Sequence, residues 1–368
     1  MTGITKRVST LADGRELLYF DDADTTLPPE RAEDRRELPE RPPTATMRQD
    51  PLTGEWISIA TARQGRVLLP PAELDPLAPQ APGNPSEVPS DYDVVVFENR
   101  SPSFGPSSEG APLDLEGIGL NRTAPAAGRC EVICFSPQHQ GSFGSVTTNR
   151  ALTVIGAWAD RTAALSALPE VAQVFPFENR GEAIGVTLQH PHGQIYGYPY
   201  VTPRTQRVIE AIGHYGPALF ADILDSERSG DRVLLSGAHW TAYVPFAARW
   251  PIEIHALPHR HVADLTETTY AEREELARMY LRLLRGLDAM YPTPTPYIAA
   301  WHQAPVRSHR DVVRLSLQIT SPRRGADRLK FTAGSEAAMG AWIGDVLPEE
   351  QAEQLREAIE RAGRQNPV

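Results

Sequence analysis

FENRGEAIGVTLQHPHGQIYGYP, residues 177–199, places His190, His192 and Gln194 at alternate positions inside an otherwise apolar run. On a strand, residues two apart share a face, so these side chains form one polar row with about 7 Å between neighbours. Such a row on the inner face of a half-buried strand costs desolvation unless something binds it. The row has a chemical use. A neutral imidazole, with an ordinary pKa of about 6.5, is a good nucleophile near neutrality. Attack on phosphorus gives a phosphoramidate whose P–N bond a second nucleophile breaks readily. A histidine can therefore divide a nucleotidyl transfer into two easier steps. In this reading Pro191 fixes the backbone between the imidazoles, Gly193 leaves room for phosphate oxygens, and Gln194 donates a hydrogen bond to a phosphoryl oxygen without being a proton source.

Outward from this stretch, strands and helices alternate. Upstream, YDVVVFENR (92–100) and CEVICFSP (130–137) read as strands, and residues 146–168 carry a helical apolar spacing. Downstream the order repeats. TAYVPFAARWPIEIHALP (241–258) reads as strands, and 269–291 as a helix with Leu276, Met279, Tyr280, Leu283, Leu284, Leu287 and Met290 at three- and four-residue spacing. Thr269 and Glu272 fit its capping box. PYIAAWHQAP (296–305) and VVRLSLQITSP (312–322) are strands, and 347–362 is a last amphipathic helix. FENR recurs at 97–100 and 177–180, and EVICFSPQH (131–139) echoes EIHALPHRH (253–261), so the spacing predicts a duplication. Residues 1–45 are polar and rich in charge runs and read as an irregular N-terminal arm. Residues 70–89 hold seven prolines and read as an extended loop.

Composition narrows the function. The 368 residues are 41% hydrophobic and 23% charged, an ordinary soluble composition. No run of 18 apolar residues suggests a membrane span, and the first residues lack the apolar centre of a signal peptide, so a cytoplasmic protein is expected. The net charge of −11 argues against a nucleic-acid partner. Cys130 and Cys134, on one strand, stand about 13 Å apart, too far for a disulfide. Of 36 basic residues only Lys6 and Lys330 are lysine, which draws attention to both as sites where a compact ammonium has a use.

HPHGQIY (190–196), in its FENRG context, resembles the active-site signature of galactose-1-phosphate uridylyltransferases, the transferase branch of the histidine-triad superfamily. The resemblance extends over residues 10–362 and includes DPLTGEW, VVVFENRSPSF, VICFSPQH, PHRHVADL, AAWHQAP and LKFTAGSEAAMGAWIGDVLPEE. It implies an α+β fold of two histidine-triad-like halves (46–205 and 206–368) with mixed or antiparallel sheets and flanking helices, paired as a homodimer. It implies a ping-pong exchange of uridylyl between UDP-glucose and galactose 1-phosphate, yielding glucose 1-phosphate and UDP-galactose. By the same resemblance His192 is the nucleophile, His190 orients it, and Gln194 holds the transferred phosphoryl group. Arg63, Arg66, Asn99, Asn179, Gly185 and Thr187 match nucleotide contacts. Lys330, Phe331, Ala333 and Glu336 match the hexose-phosphate segment.

Two departures concern metals. Relatives bind zinc through a C-x2-C pair and two histidines; here Asp75 and Ala78 stand at the cysteine positions, while His139 and His190 remain. Asp75, His139 and His190 are thus residual zinc candidates in a poor tetrahedral set, and no cofactor is required by a side-chain nucleophile. A second metal site, of a glutamate and three histidines in some relatives, keeps His302, with Ser316 and Gln318 at two of the histidine positions and Val208 or a near neighbour at the glutamate position. Two other readings are a nucleotidylyltransferase or dinucleoside-polyphosphate phosphorylase with a different base or acceptor, and a non-catalytic nucleotide-binding paralogue.

Overall fold

The computed structural model describes residues 3–65, 69–106 and 119–365. The N-terminal part runs β1 (Thr5–Thr10), β2 (Glu16–Asp21), β3 (Thr46–Gln49), β4 (Trp56–Ile59), β5 (Val94–Glu98), β6 (Thr123–Pro125), β7 (Arg129–Cys134), α1 (Thr148–Ser166), β8 (Gln173–Arg180) and β9 (His192–Tyr198). Then follow α2 (Pro203–Tyr215), α3 (Leu219–Arg228), β10 (Val233–Ser236), β11 (Trp240–Tyr243), β12 (Ile252–Pro258), α4 (Tyr270–Ala289), β13 (Tyr297–His302), β14 (Ser316–Ser321) and α5 (Pro348–Gln365). An 11-stranded antiparallel sheet has the order β1-β2-β5-β7-β9-β8-β13-β14-β12-β11-β10. The order is mirrored about the β8–β13 pair: β9 and β7 lie outside β8, and β14 and β12 lie outside β13. Each half is therefore two strands, a helix and two strands, joined edge to edge. A smaller sheet, β4-β3-β6, stands apart.

The expected helices and strands occupy these places, and the capping box of α4 forms: Thr269 Oγ1 accepts from the Glu272 N–H, and the Glu272 carboxylate accepts from the Thr269 N–H at 2.7 Å. The echo between Glu131 and Glu253 does not superpose. Glu131 faces the helices and pairs with Arg161 of α1 at 2.7 Å, whereas Glu253 faces the opposite side and accepts from Gln318 at 2.7 Å. A strand alternates faces at each residue, so this nine-residue likeness is one position out of register.

Residues 5–21 are a correction to the expected arm. They form β1 and β2, and Leu17, Leu18, Tyr19 and Phe20 are buried. β2 lies between β1 and β5 and is covered on both faces, so its signal is a short continuous apolar run rather than an alternation. Residues 22–45 carry no regular element, but their charge runs are paired: Arg31 with Asp21, Arg36 with Asp34, and Arg41 with Glu98 at 2.7 Å. The loop at 70–89 is irregular as expected, with one short turn at Ala72–Leu74. The sequence reading assigned nothing to α2, α3 and β10; Pro203, the first residue of α2, is a helix-start signal that it passed over.

One face of the sheet is covered by α1 and α4, with α5 behind α4. Phe143, Trp158, Tyr280 and Trp301 form the aromatic centre there, Phe143 stacking on Trp158 at 5.6 Å. Gly286 of α4 is required by packing, since a Cβ there would lie 2.4 Å from Ile359 of α5. The other face of the strands carries the residues of the sequence motif. Cys130 and Cys134 are buried and not joined in a disulfide.

Under the helices, Glu178 is 3% exposed and accepts from the Tyr297 and Tyr280 hydroxyls at 2.9 and 3.2 Å. Burial pushes its carboxyl up to about 7, against the lowering effect of these hydroxyls and of Arg180. The folded state then holds a proton that the unfolded state releases near pH 4.5, so stability falls as pH rises from about 4.5 to 7. The Glu178→Gln variant should remove this loss and be more stable than the parent at pH 8 by up to about 3 kcal/mol, with little difference at pH 4. Urea titrations at the two pH values measure it.

Candidate active site

His192 opens β9 opposite Cys134 of β7. Its Nδ1 lies 2.7 Å from the His190 carbonyl oxygen. A carbonyl can only accept, so Nδ1 carries the ring's hydrogen and Nε2 carries the lone pair. This is the tautomer a nucleophilic imidazole needs. When Nε2 bonds to an electrophile the ring becomes cationic, and the same hydrogen bond strengthens by charge assistance.

The carbonyl is fixed by the His190 side chain, which is 1% exposed. Its Nε2 lies 2.7 Å from the Ser136 carbonyl and 2.9 Å from the Tyr92 hydroxyl, and its Nδ1 lies 2.7 Å from Asp75 Oδ2. The same carboxylate oxygen lies 2.8 Å from His139 Nδ1. Burial would raise the Asp75 pKa, but hydrogen bonds from His190, the Leu77 N–H and His139 bring it down to about 2. Asp75 is thus an ionised acceptor between two imidazoles. Pro191 adds a backbone anchor, its carbonyl accepting from Phe135 N–H at 3.0 Å. Gly193 faces away from any phosphate: a Cβ there would lie 2.8 Å from the Phe177 carbonyl and 2.9 Å from the Phe135 ring. The expected role of Gly193 is corrected accordingly; it allows β8 and Phe135 to approach β9.

Two cavities meet at His192. One, of about 320 Å³, includes Asn179, Arg180, His190 and His192 in its lining. The other, of about 540 Å³, includes Asn99, Arg100, Thr187, His192 and Gln194. Gln194 is oriented by the Tyr196 hydroxyl, which donates to its Oε1 at 3.0 Å, and Asn99 Oδ1 accepts from Ser101 N–H at 3.0 Å. Arg63 belongs to the short turn Thr61–Gly65, whose Ala62 lines the second cavity. Arg66 lies outside the described residues. Gly185 lines neither cavity; its φ of +82° shows that glycine serves the turn between β8 and β9. Ser136 and Tyr92, which hold His190 from 54 and 98 residues away, were not found from the sequence, where no periodicity marks them.

The hexose-phosphate segment is elsewhere in this chain. None of Lys330, Phe331, Ala333 and Glu336 lines either cavity at His192. The Lys330 ammonium, 4% exposed, donates to the carbonyls of Arg249 and Ile343 and lies 3.4 Å from Asp345 and 3.7 Å from Glu336. It ties the segment 330–345 to itself. Phe331 is 76% exposed. Lys6, the other lysine, pairs with Asp160 of α1 at 2.7 Å and is not on a loose arm.

Asp75, His139 and His190 are the one cluster of metal-type donors among the described residues. Neighbouring donors of a tetrahedral zinc with bonds of about 2.0 Å stand about 3.3 Å apart. Here Asp75 Oδ2 is 2.7 and 2.8 Å from the two imidazole nitrogens, which is hydrogen-bond geometry. Ala78 offers no fourth side-chain donor. The three residues hold one another and do not fit a closed zinc site as arranged. At the second implied site, His302 Nε2 lies 3.1 Å from Gln318 Oε1, and Ser316 and Val208 bring no ligand of the expected kind.

Asp75→Asn should destabilise the fold by about 2–3 kcal/mol at pH 7, because the folded carboxylate titrates near 2 against an unfolded value near 3.9. That stability is present above about pH 4 and is lost as pH falls toward 2, so the gap between parent and variant should close over that range. Chemical denaturation from pH 7 to pH 2.5 follows the gap.

Comparison with known proteins fits this geometry. A family model described as "Galactose-1-phosphate uridyl transferase, N-terminal domain" matches residues 42–202, and the corresponding C-terminal domain model matches 205–364. A galactose-1-phosphate uridylyltransferase of Streptomyces lividans is 42% identical over 96% of this chain and 98% of its own length. One of Thermotoga maritima is 33% identical over 84% of this chain and 98% of its own. A solved uridylyltransferase structure superposes with a TM-score of 0.76 at 31% identity, covering 86% of this chain and 99% of that one.

Proposed function

We infer, from the premise that this chain belongs to the galactose-1-phosphate uridylyltransferase family, that His192 performs the family's exchange through a covalent uridylyl-histidine. The activity is transfer of uridylyl from UDP-glucose to galactose 1-phosphate by a ping-pong route. The observation that carries the covalent step is the His192 Nδ1–His190 carbonyl hydrogen bond, which puts the lone pair on Nε2. In the first half-reaction Nε2 attacks the α-phosphorus of UDP-glucose. The bond from that phosphorus to the bridging oxygen breaks, and glucose 1-phosphate leaves with the electron pair. In the second, a phosphate oxygen of galactose 1-phosphate attacks the same phosphorus, the P–N bond breaks, and UDP-galactose leaves. His190 is a positioning residue: its carbonyl fixes the tautomer and stabilises the cationic, phosphorylated ring.

The remaining assignments are part of the same proposal. Gln194 donates to the transferred phosphoryl group, and Arg63, Arg66, Asn99, Asn179 and Thr187 contact the nucleotide, with Gly185 shaping the loop that carries Thr187. Halves 46–205 and 206–368 divide the work, the first holding the nucleophile and the second the segment that takes the hexose phosphate through Phe331, Ala333 and Glu336, with Lys330 bracing that segment from the Arg249 and Ile343 carbonyls. The chain acts as a homodimer, a reading supported by the exposed apolar side chains Phe331, Met339, Ile343 and Leu347 on that segment. Its site is the cytoplasm, which suits two buried cysteines with no disulfide between them. No helix among the described residues is long and apolar enough to cross a membrane. The side-chain nucleophile requires no metal; Asp75 lies by hydrogen bonds between His139 and His190, the three residues that remain as the residual zinc candidates.

Turnover of UDP-glucose with galactose 1-phosphate, measured on protein treated with a chelator and desalted, tests this reading. The account expects parallel-line initial-rate kinetics, activity within about two-fold of untreated protein, and less than one zinc per chain by elemental analysis. His192→Asn should lose at least about 10⁴-fold in kcat, since His192 is the one described histidine that lines both cavities. Stoichiometric zinc whose removal abolishes folding would contradict the metal-free part.

A further inference from the structure

The mirrored sheet gives the nucleophile site a structural twin. Gln194 of β9 stands opposite Phe177 of β8, and Gln318 of β14 stands opposite Ala300 of β13. Phe177 and Ala300 lie on the same side of the sheet, away from the core that contains Tyr297, Ala299 and Trp301. Laying β8–β9 on β13–β14 with like faces together therefore places Gln318 at the station of Gln194. By the same register Ser316 takes the station of His192, Arg314 that of His190, and His302 that of Asn179.

A cavity of about 390 Å³ lies at this twin station, with Ser316, His302 and His255 in its lining. Its size is that of small-molecule sites. Three arginines line it: Arg204, Arg249 and Arg314. Arg314 is 7% exposed, and its Nε has no hydrogen-bond partner. The guanidinium groups of Arg204 and Arg249 make no hydrogen bond or close ion pair with a described residue, and Arg204 feels the like charge of Arg249. Burial and this repulsion hold Arg204 below the ordinary arginine value, and burial lowers Arg314. Two carboxylates share the lining: Glu253, which accepts from His255 and Gln318 and acts on the charge of Arg204, and Glu227, which pairs with Arg232 at 3.0 Å. Arg204 and Thr205 also belong to the first turn of the 13-residue helix α2, whose N–H groups favour an anion. Apolar and aromatic side chains also line this cavity: Phe220, Tyr243, Phe246 and Leu257.

We propose that this cavity is a second ligand site, which takes a phosphate monoester carrying a flat apolar body, the chemical class of nucleoside monophosphates. Arg204, Arg249 and Arg314 receive the phosphate, and the aromatic wall receives the flat body. The site binds and does not react. Ser316 stands where the nucleophile would be, and the two nearby imidazoles are committed elsewhere, His302 to Gln318 and His255 to Glu253. Burial and the Arg204 charge push the His302 pKa down to about 3, so this ring adds no charge at neutral pH.

Calorimetric titration of the full chain with UMP and with AMP tests the proposal. UMP should show two binding events per chain, one displaced by UDP-glucose and one not; AMP should show the second event. R204Q/R249Q, at residues on the rim, should weaken the second event by at least about 10-fold and leave UDP-glucose turnover and melting temperature unchanged. The single variant R204Q should give an intermediate loss. Only one UMP event, fully displaced by UDP-glucose, overturns the proposal, as does a second event that persists undiminished in R204Q/R249Q. These results concern the twin cavity only, because turnover reports the His192 site separately.

Discussion

The hydrogen bond from His192 Nδ1 to the His190 carbonyl is the contact on which the rest of the structure's chemistry depends. It selects one imidazole tautomer without any side chain acting as base. It also explains why a motif of alternating histidines needs its first member. The His190 ring is turned away into the protein, held by Asp75 on one nitrogen and the Ser136 carbonyl on the other. Only its backbone oxygen serves the reacting ring. The antiparallel sheet supplies the rigidity: β9 is hydrogen-bonded on both edges, to β7 and β8, and Gly193 lets the neighbouring strand approach closely.

The same scaffold occurs twice in one sheet with different outcomes. In the first half the station at the start of the strand carries an imidazole, its tautomer fixed by a carbonyl. In the second it carries Ser316, with Arg314 in place of the buried histidine. The His190 ring is satisfied by Asp75 and the Ser136 carbonyl, whereas the Arg314 guanidinium donates to the Pro258 carbonyl and leaves its Nε without a partner, a cost that a ligand's charge would offset. Val208, Ser316 and Gln318 bring no imidazole or carboxylate to that station, and Arg204 and Arg314 line the cavity beside it.

Much of this was legible in the sequence because the signals are local. The spacing of Leu276, Met279 and Tyr280 gave α4, Thr269 and Glu272 gave its cap, and the run at 188–199 gave the reacting strand. What escaped was set by partners distant in the chain. Leu17–Phe20 reads as a short apolar run in a charged setting until β5 covers one edge and β1 the other. Ser136 and Tyr92 hold His190 through a carbonyl and a hydroxyl that no spacing reveals. The segment around Lys330 matches a known motif, yet its ammonium is spent on the chain's own carbonyls, a fact of tertiary structure alone. The Glu131–Glu253 likeness misled because identity of letters does not fix which face of a strand they occupy.

The most direct test of the central claim is the mass of the intact protein after brief incubation with UDP-glucose alone, followed by peptide mapping at mild alkaline pH. The account predicts one added uridylyl group per chain, located on His192, acid-labile, and released together with an equal amount of glucose 1-phosphate. A chain that turns over both substrates yet carries no adduct, or carries it on another residue, would contradict the role given to His192 and to the carbonyl that orients it.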